Sequence, residues 1–163
     1  LREMFPDKII ASDTKCADAG STVAQNSKDA GADLMTVIDS ATIATMKSAK
    51  SVLDGIQVEL YSAWNWDLAE KWQQIGIEQV IYHQSRDALL AGEVWGEKDL
   101  NIVKKFISMG FKVSVTGGLN LDTIKLFKDV PVYTFIAGRA ITGQDDPAAA
   151  AQAFQDEIGK YWA

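Results

Sequence analysis

Short apolar runs alternate with amphipathic stretches along the whole chain. Six runs have the length and composition of β-strands, at residues 8–12, 34–38, 57–60, 79–82, 112–115 and 132–137. Between them, apolar residues recur at helical spacing, which predicts helices over 19–30, 42–53, 66–75, 97–109, 120–128 and 147–160. Several strand runs are apolar on both faces, as expected of strands that helices cover on both sides. The alternation therefore predicts an α/β fold with a parallel sheet.

Two of the predicted helices begin with clear sequence signals. Asn120 is a residue type that caps helices, and it follows Gly117 and Gly118. Asp146 precedes Pro147, which combines a capping side chain with a proline at the first helical position. These signals fix the starts of the last two predicted helices.

The number of units suggests a barrel. The 163 residues, divided among six strand-helix units, give about 27 residues per unit, and eight such units would reach the usual size of a TIM (β/α)₈ barrel. The last helix has the amphipathic pattern of a closing element. We therefore expect residues 1–163 to form a single, partial TIM-barrel domain that carries the last six βα units, without the two N-terminal ones. An open six-stranded sheet is the alternative.

Composition narrows the partners. With 16 basic and 22 acidic residues the net charge is −6, which disfavours binding to the phosphate backbone of nucleic acid. No apolar run approaches the roughly 18 residues that a membrane span needs. The single cysteine, Cys16, cannot form an internal disulfide, which is typical of the cytoplasm, and we interpret it as a packing residue.

The densest polar cluster follows the first predicted strand, at Asp13-Thr14-Lys15-Cys16-Ala17-Asp18. On an extended backbone, residues two apart point to the same side, so Asp13 and Lys15 are expected to be neighbours. Asp18 is expected in the turn that enters the next helix. The C-terminal ends of barrel strands carry the active site, which makes the cluster a candidate for catalysis. A solvated charge pair with a helix cap is the alternative interpretation.

Other strand ends are polar as well. Glu59 interrupts an apolar strand, and a carboxylate there is costly to bury unless it has a partner or a use. His83, the only histidine, ends the fourth predicted strand, and Arg86 follows three residues later. Each residue alone fits a structural role. Their common position at strand ends favours catalysis.

Glycines follow the last two strands. Gly117 and Gly118 come after the fifth strand, and Gly138 with Arg139 comes after the sixth. Glycine lets backbone N–H groups approach an anion, and arginine binds phosphate with two hydrogen bonds. Two such loops at neighbouring strand ends match the phosphate site of barrels. Ordinary turns would explain each loop separately.

Trp64 and Trp66 follow Glu59 in the sequence. They either cover the site or, as we prefer, pack around the start of the helix that follows.

These residues carry a resemblance. The run from Asp13 to Gly20 resembles the Asp-x-Lys-x-x-Asp motif of the orotidine monophosphate decarboxylase suprafamily. Its branch that decarboxylates 3-keto-L-gulonate 6-phosphate is resembled by Tyr82-His83-Gln84-Ser85-Arg86-Asp87 and by Trp95-Gly96-Glu97. The similarity runs from about Pro6 to Trp162. It implies a cytoplasmic, homodimeric (β/α)₈ barrel that degrades L-ascorbate and related sugar acids, with Mg²⁺ in the site and an enediolate intermediate.

The resemblance also implies residue roles. Asp13 would bind Mg²⁺, Lys15 would stabilise the enediolate, and Asp18 would reach the active site of the neighbouring subunit. Glu59 would position the substrate, while His83 and Arg86 would deliver the proton. The phosphate would bind to the two glycine loops, which comprise Gly117, Gly118, Gly138 and Arg139.

Two other functions stay open. An aldolase similar to 3-hexulose-6-phosphate synthase shares the Asp-x-Lys-x-x-Asp cluster, although Arg86 after His83 favours the decarboxylase. A non-catalytic phosphosugar-binding or dimerisation module is the third possibility, because the family's first two strands supply a second carboxylate ligand for the metal.

Overall fold

The computed structural model describes residues 1–162. It contains six strands, β1 Ala11–Cys16, β2 Leu34–Ile38, β3 Gly55–Leu60, β4 Gln79–His83, β5 Lys112–Thr116 and β6 Thr134–Ile136. The strands are hydrogen-bonded to one another in chain order. Helices follow the strands, which confirms the predicted α/β fold with a parallel sheet. The number of units in the complete barrel stays a prediction.

The helices are α1 Gly20–Asp29, α2 Ile43–Lys50, α3 Trp66–Gln74, α4 Arg86–Leu90, α5 Glu97–Ser108, α6 Leu121–Lys125, α7 Arg139–Thr142 and α8 Pro147–Gly159. Both predicted caps are confirmed. Asn120 Oδ1 accepts hydrogen bonds from the backbone N–H groups of Asp122 and Thr123, and Asp146 Oδ1 accepts one from that of Ala149. Within the described part of the chain, no helix combines the length and the apolar character that crossing a membrane requires.

The chain divides into two compact units, Leu1–Ile81 and Tyr82–Ala163. In the first unit, β1, β2 and β3 pair in parallel, and Ile38 is paired with Glu59 where β2 and β3 end. The backbones of α1 and α2 lie close together, because a Cβ atom on Gly20 would be 2.2 Å from the carbonyl oxygen of Thr45. Fully buried side chains of both the strands and the helices form the core, among them Met35, Val37, Met46, Val58, Leu60 and Trp72.

In the second unit, β5 and β6 pair in parallel from Ser114 and Thr134 to Thr116 and Ile136. A series of edge-to-face aromatic contacts extends through this unit, with ring centroids 5.0 to 6.0 Å apart. Such geometry is favourable for the ring quadrupoles. Its members are Tyr82, Trp95, Phe127, Phe135 and Trp162.

Three element predictions need correction. The first strand is 11–16 rather than 8–12, because Ile9 is exposed and pairing with β2 begins only at Ala11. The last strand covers three residues instead of six, and helix α6 ends at Lys125 rather than at 128. The short helices α4 and α7 were not predicted. Ser85 caps α4 with its hydroxyl oxygen, which accepts a hydrogen bond from the backbone N–H of Ala88.

Candidate active site

A bulge in β1 shapes the polar cluster. Ser12 and Cys16 pair with Met35 and Val37, so four steps along β1 match two along β2. Within the bulge, Lys15 has a φ of 45°, in the left-handed region that side chains disfavour. The expectation of a simply extended backbone between Asp13 and Lys15 is therefore wrong, although the two side chains do meet.

Buried Thr36 of β2 holds this bulge with three hydrogen bonds. Its hydroxyl accepts one from the Lys15 backbone N–H at 2.9 Å and donates one to Asp13 Oδ1 at 3.2 Å. Its carbonyl oxygen accepts one from the Thr14 hydroxyl at 2.7 Å. These bonds replace the ladder that the bulge interrupts. Thr36 is a site residue that the sequence analysis missed, since a threonine inside a strand is common.

The Lys15 ammonium lies between two carboxylates. Nζ is 2.6 and 2.8 Å from the two oxygens of Asp13 and 3.2 Å from Glu59 Oε2. Glu59 is buried, whereas Asp13 is exposed. Burial lowers the pKa of Lys15, but the hydrogen bonds and charges of Asp13 and Glu59 outweigh it, so the pKa lies above 10.5. Lys15 is therefore a fixed positive charge.

A second carboxylate network adjoins Glu59. Asp39, buried directly after β2, accepts hydrogen bonds at Oδ2 from the backbone N–H groups of Tyr61, Ala63 and Trp64, at 2.9, 2.9 and 3.1 Å. The Tyr61 hydroxyl donates a hydrogen bond to Glu59 Oε1 at 3.1 Å. The sequence analysis missed both Asp39 and Tyr61. The position of Asp39 at the end of a strand was the signal that could have identified it.

Asp18 and Cys16 have different surroundings. Asp18 is exposed, and it is not the helix cap, because the N-cap position of α1 is Ala19 in a left-handed conformation. Cys16 is buried, and its thiol donates a hydrogen bond to the Asp18 carbonyl oxygen. Burial raises the pKa of the Cys16 thiol, which supports the interpretation of Cys16 as a packing residue.

Trp64 and Trp66 contact one another edge to face, with their centroids 5.1 Å apart. Whether they cover the site stays open.

The predicted phosphate loops begin at neighbouring strand ends. Thr116 and Ile136, the last residues of β5 and β6, are paired, and the Thr116 hydroxyl donates a hydrogen bond to the Ile136 carbonyl oxygen. Gly117 and Gly118 follow with φ values of 104° and 60°. The helices after both loops are only five and four residues long, so the helix dipole contributes less than the sequence suggested.

In the second loop, Gly138 is the N-cap of α7 and Arg139 is its first residue. Arg139 is exposed and is thus accessible to an anion. The two loops bring backbone N–H groups and one guanidinium to the same edge of β5 and β6.

His83 and Arg86 lie on either side of a turn. His83 is the last residue of β4 and is half-buried, while Arg86 is the first residue of α4 and is exposed. The strand end that was predicted for His83 is confirmed.

The described residues do not form a Mg²⁺ site by themselves. In residues 1–162, no three side chains of His, Cys, Asp or Glu are grouped so that they could hold a metal ion. Asp13, the predicted ligand, has both oxygens hydrogen-bonded to Lys15. We therefore derive no chemical step through a metal.

Comparison with known proteins places these features in a family. Residues 1–154 match the family model of the orotidine 5'-phosphate decarboxylase / HUMPS family. The chain therefore belongs to this family, and its decarboxylase relatives identify it as a carboxy-lyase.

The relatives are more specific. A probable 3-keto-L-gulonate-6-phosphate decarboxylase of Mycoplasma pneumoniae is 44% identical over 168 residues, an alignment that covers 99% of this chain and 77% of that protein. A ligand-bound crystal structure of KGPDC from Streptococcus mutans is 63% identical with a TM-score of 0.97, over 99% of this chain and 78% of that one. For a 3-keto-L-gulonate-6-phosphate decarboxylase from Vibrio cholerae, the identity is 39% and the TM-score 0.88, over 99% and 77%. The resemblance inferred from the sequence is confirmed.

Proposed function

We propose that this protein decarboxylates 3-keto-L-gulonate 6-phosphate to L-xylulose 5-phosphate and CO₂, in the breakdown of L-ascorbate and related sugar acids. The observation that carries the proposal is the Lys15 ammonium, which two carboxylates hold within 3.2 Å at the end of a parallel sheet. The names of the relatives support the substrate, and the ligand of the Streptococcus mutans structure supports binding of a phosphosugar.

The proposed chemistry needs a fixed cation. The substrate is a β-keto acid, so when its carboxylate leaves as CO₂, the electron pair of the broken C–C bond forms an enediolate. Its negative charge develops on the former keto oxygen. Lys15 stabilises this charge, because an ammonium already in position requires no reorganisation during the reaction. The pKa of Lys15, which lies above 10.5, keeps that charge in place at neutral pH.

The other roles are assigned from the family motif. Glu59 positions the substrate beside Lys15, and His83 with Arg86 delivers the proton that converts the enediolate carbon into L-xylulose 5-phosphate. Backbone N–H groups at Gly117, Gly118 and Gly138, together with the Arg139 guanidinium, bind the phosphate. Charge-assisted hydrogen bonds from arginine suit a phosphate dianion.

Three further properties stay predictions. They are a requirement for Mg²⁺ with Asp13 as a ligand, a homodimer in which Asp18 reaches the partner's site, and a cytoplasmic location. Turnover before and after EDTA treatment tests the first, and equilibrium sedimentation tests the second.

The test is CO₂ release from 3-keto-L-gulonate 6-phosphate by the purified protein. Replacing Lys15 by Ala removes the cation, and we expect turnover to fall by about 100-fold or more. Lys128→Ala, which removes an exposed lysine distant from the motif in sequence, is the matched control and should retain full activity. Equal turnover by the Lys15→Ala variant and the native protein would contradict the proposal.

Two further arms separate the alternative functions. Formaldehyde-dependent consumption of a sugar phosphate, without CO₂ release, would identify the synthase-like aldolase. Binding of L-xylulose 5-phosphate without turnover of any substrate would identify a non-catalytic binding module.

A further inference from the structure

One buried carboxylate fixes a whole loop beside Glu59. Asp39 is only 3% exposed, and its Oδ2 accepts three backbone hydrogen bonds, from Tyr61, Ala63 and Trp64. The Asp39 backbone N–H also donates to the Glu59 carbonyl oxygen at 3.0 Å, which joins the ends of β2 and β3. A buried charge is retained only with such partners, and three donors on one oxygen leave residues 61–64 a single arrangement.

The Asp39 bonds are not needed to start the next helix. Asn65 is the N-cap of α3, and its own Oδ1 accepts a hydrogen bond from the Leu68 N–H. Asp39 therefore serves the loop that comes before the helix.

The first residue of this loop acts on Glu59. The Tyr61 hydroxyl donates to Glu59 Oε1 at 3.1 Å, while Glu59 Oε2 is 3.2 Å from Lys15 Nζ. The two oxygens of one buried carboxylate thus have different partners on opposite sides. Because rotation of the carboxylate would break both contacts, Tyr61 determines which oxygen faces Lys15.

We propose that Tyr61 and Asp39 form a positioning pair, in which Asp39 anchors the 61–64 loop and the Tyr61 hydroxyl holds Glu59 in the orientation that Lys15 requires. The proposal rests on the proposed decarboxylase function for its kinetic consequence alone, since the contacts themselves are independent of the substrate. Neither residue touches the reacting atoms, so both act through Glu59.

The hydroxyl is suited to this role. Burial, followed by the negative charge of Glu59, raises the pKa of the Tyr61 hydroxyl above 10. Tyr61 therefore remains protonated and donates at every pH at which the enzyme would work.

The kinetic test is Tyr61→Phe, which removes the hydroxyl and keeps the ring. Substrate binding through the phosphate is unchanged, whereas Glu59 and Lys15 lose their fixed orientation. We expect kcat to fall about tenfold, as for loss of a hydrogen bond to a charged group, with KM within twofold of the native value. The control Tyr133→Phe removes an exposed tyrosine hydroxyl and should change neither constant.

Asp39→Asn tests the anchor. The amide keeps the shape and an acceptor oxygen but removes the charge, so kcat should fall less than in Tyr61→Phe. If Asp39 acts through Tyr61, then adding Asp39→Asn to Tyr61→Phe lowers kcat by less than twofold more. A purely structural role for Asp39 would instead make the two losses multiply. Melting temperatures of all variants identify any that fail to fold, and Tyr61→Phe alone still decides the role of the hydroxyl.

A measurement without substrate separates this inference from the proposed function. Trinitrobenzenesulfonate reacts with free amines, and peptide mass spectrometry gives its rate at Lys15 relative to Lys128. We expect labelling of Lys15 to be about threefold faster in Tyr61→Phe than in the native protein and unchanged in Tyr133→Phe, since weaker contact with Glu59 favours the neutral amine.

The outcomes are distinct. If the native protein does not release CO₂, the proposed function fails and the labelling rates alone decide the positioning. Faster labelling then supports the pair. Equal labelling in native protein and Tyr61→Phe, or an unchanged kcat in an active enzyme, overturns the inference.

Discussion

Lys15 combines an unfavourable backbone with a favourable side-chain environment. A left-handed conformation costs a residue with a Cβ about 1–2 kcal/mol. Its N–H bonds to Thr36 and its ammonium bonds to Asp13, so the local contacts that offset this cost belong to the candidate site. The strain is therefore located where we expect function.

At the residue scale, we predict that activity persists to high pH. Because the pKa of Lys15 is raised, the folded state holds its proton more tightly than the unfolded chain does. The contribution of Lys15 to stability is thus complete below about pH 10.5 and is lost as pH rises through the higher folded pKa. A rate profile from pH 6 to 11 should show no loss attributable to Lys15 below pH 10.5. A decline at lower pH that disappears in Lys15→Arg would contradict this.

At the element scale, the bulge in β1 depends on one hydroxyl. Replacing Thr36 by Val preserves the volume but leaves the buried Lys15 N–H without its acceptor and Asp13 without a donor. We expect a loss of about 1–3 kcal/mol in the free energy of unfolding, together with lower turnover. Urea denaturation and CO₂ release measure the two effects.

Thr36→Ser is the matched control for this prediction. It retains the hydroxyl and loses a methyl group, so it should keep the bulge and most of the activity. Equal behaviour of the Val and Ser variants would show that the hydroxyl does not hold the bulge.

The sequence predicts individual elements with different success for physical reasons. The bounds of β2 agree with the prediction because an apolar run with polar ends produced a regular ladder. The prediction of β1 was shifted because Asp13, Thr14 and Lys15 are polar yet lie within the strand, where bonds to Thr36 take the place of apolar packing. Capping side chains next to apolar stretches located α6 and α8 because a cap acts within three residues.

The candidate site was predictable only in part. The strand-end rule identified Glu59 and His83, because polar residues stand out against apolar strands. Asp39 and Tyr61 escaped because their roles depend on where backbone N–H groups point across 22 to 25 positions of chain. Short-range spacing does not encode such contacts.

At the scale of the whole molecule, the core contains one polar group that weakens it. The Ser114 hydroxyl in β5 is fully buried and has no hydrogen-bond partner among the described residues. An unsatisfied buried hydroxyl costs about 1–3 kcal/mol, whereas Ser114→Ala removes only one small atom. We expect this variant to be as stable as the native protein or more stable by about 1 kcal/mol.

Phe106→Ala provides the contrast in the same unit. Its ring is fully buried, and truncation should cost about 3–5 kcal/mol. Chemical denaturation followed by circular dichroism compares the variants. A Ser114→Ala variant that loses more than about 1 kcal/mol would show that the hydroxyl has a partner, such as a bound water.

The glycines of the phosphate loops differ in what they reveal about descent. At Gly117 a Cβ atom would lie 2.1 Å from the Gln84 carbonyl oxygen, so packing alone forbids any side chain there. At Gly138 an added Cβ would meet nothing within 4 Å. A lineage that stopped binding phosphosugars would therefore keep Gly117 and be free to exchange Gly138. Among diverging homologues, the second position distinguishes an inherited scaffold from a retained ligand.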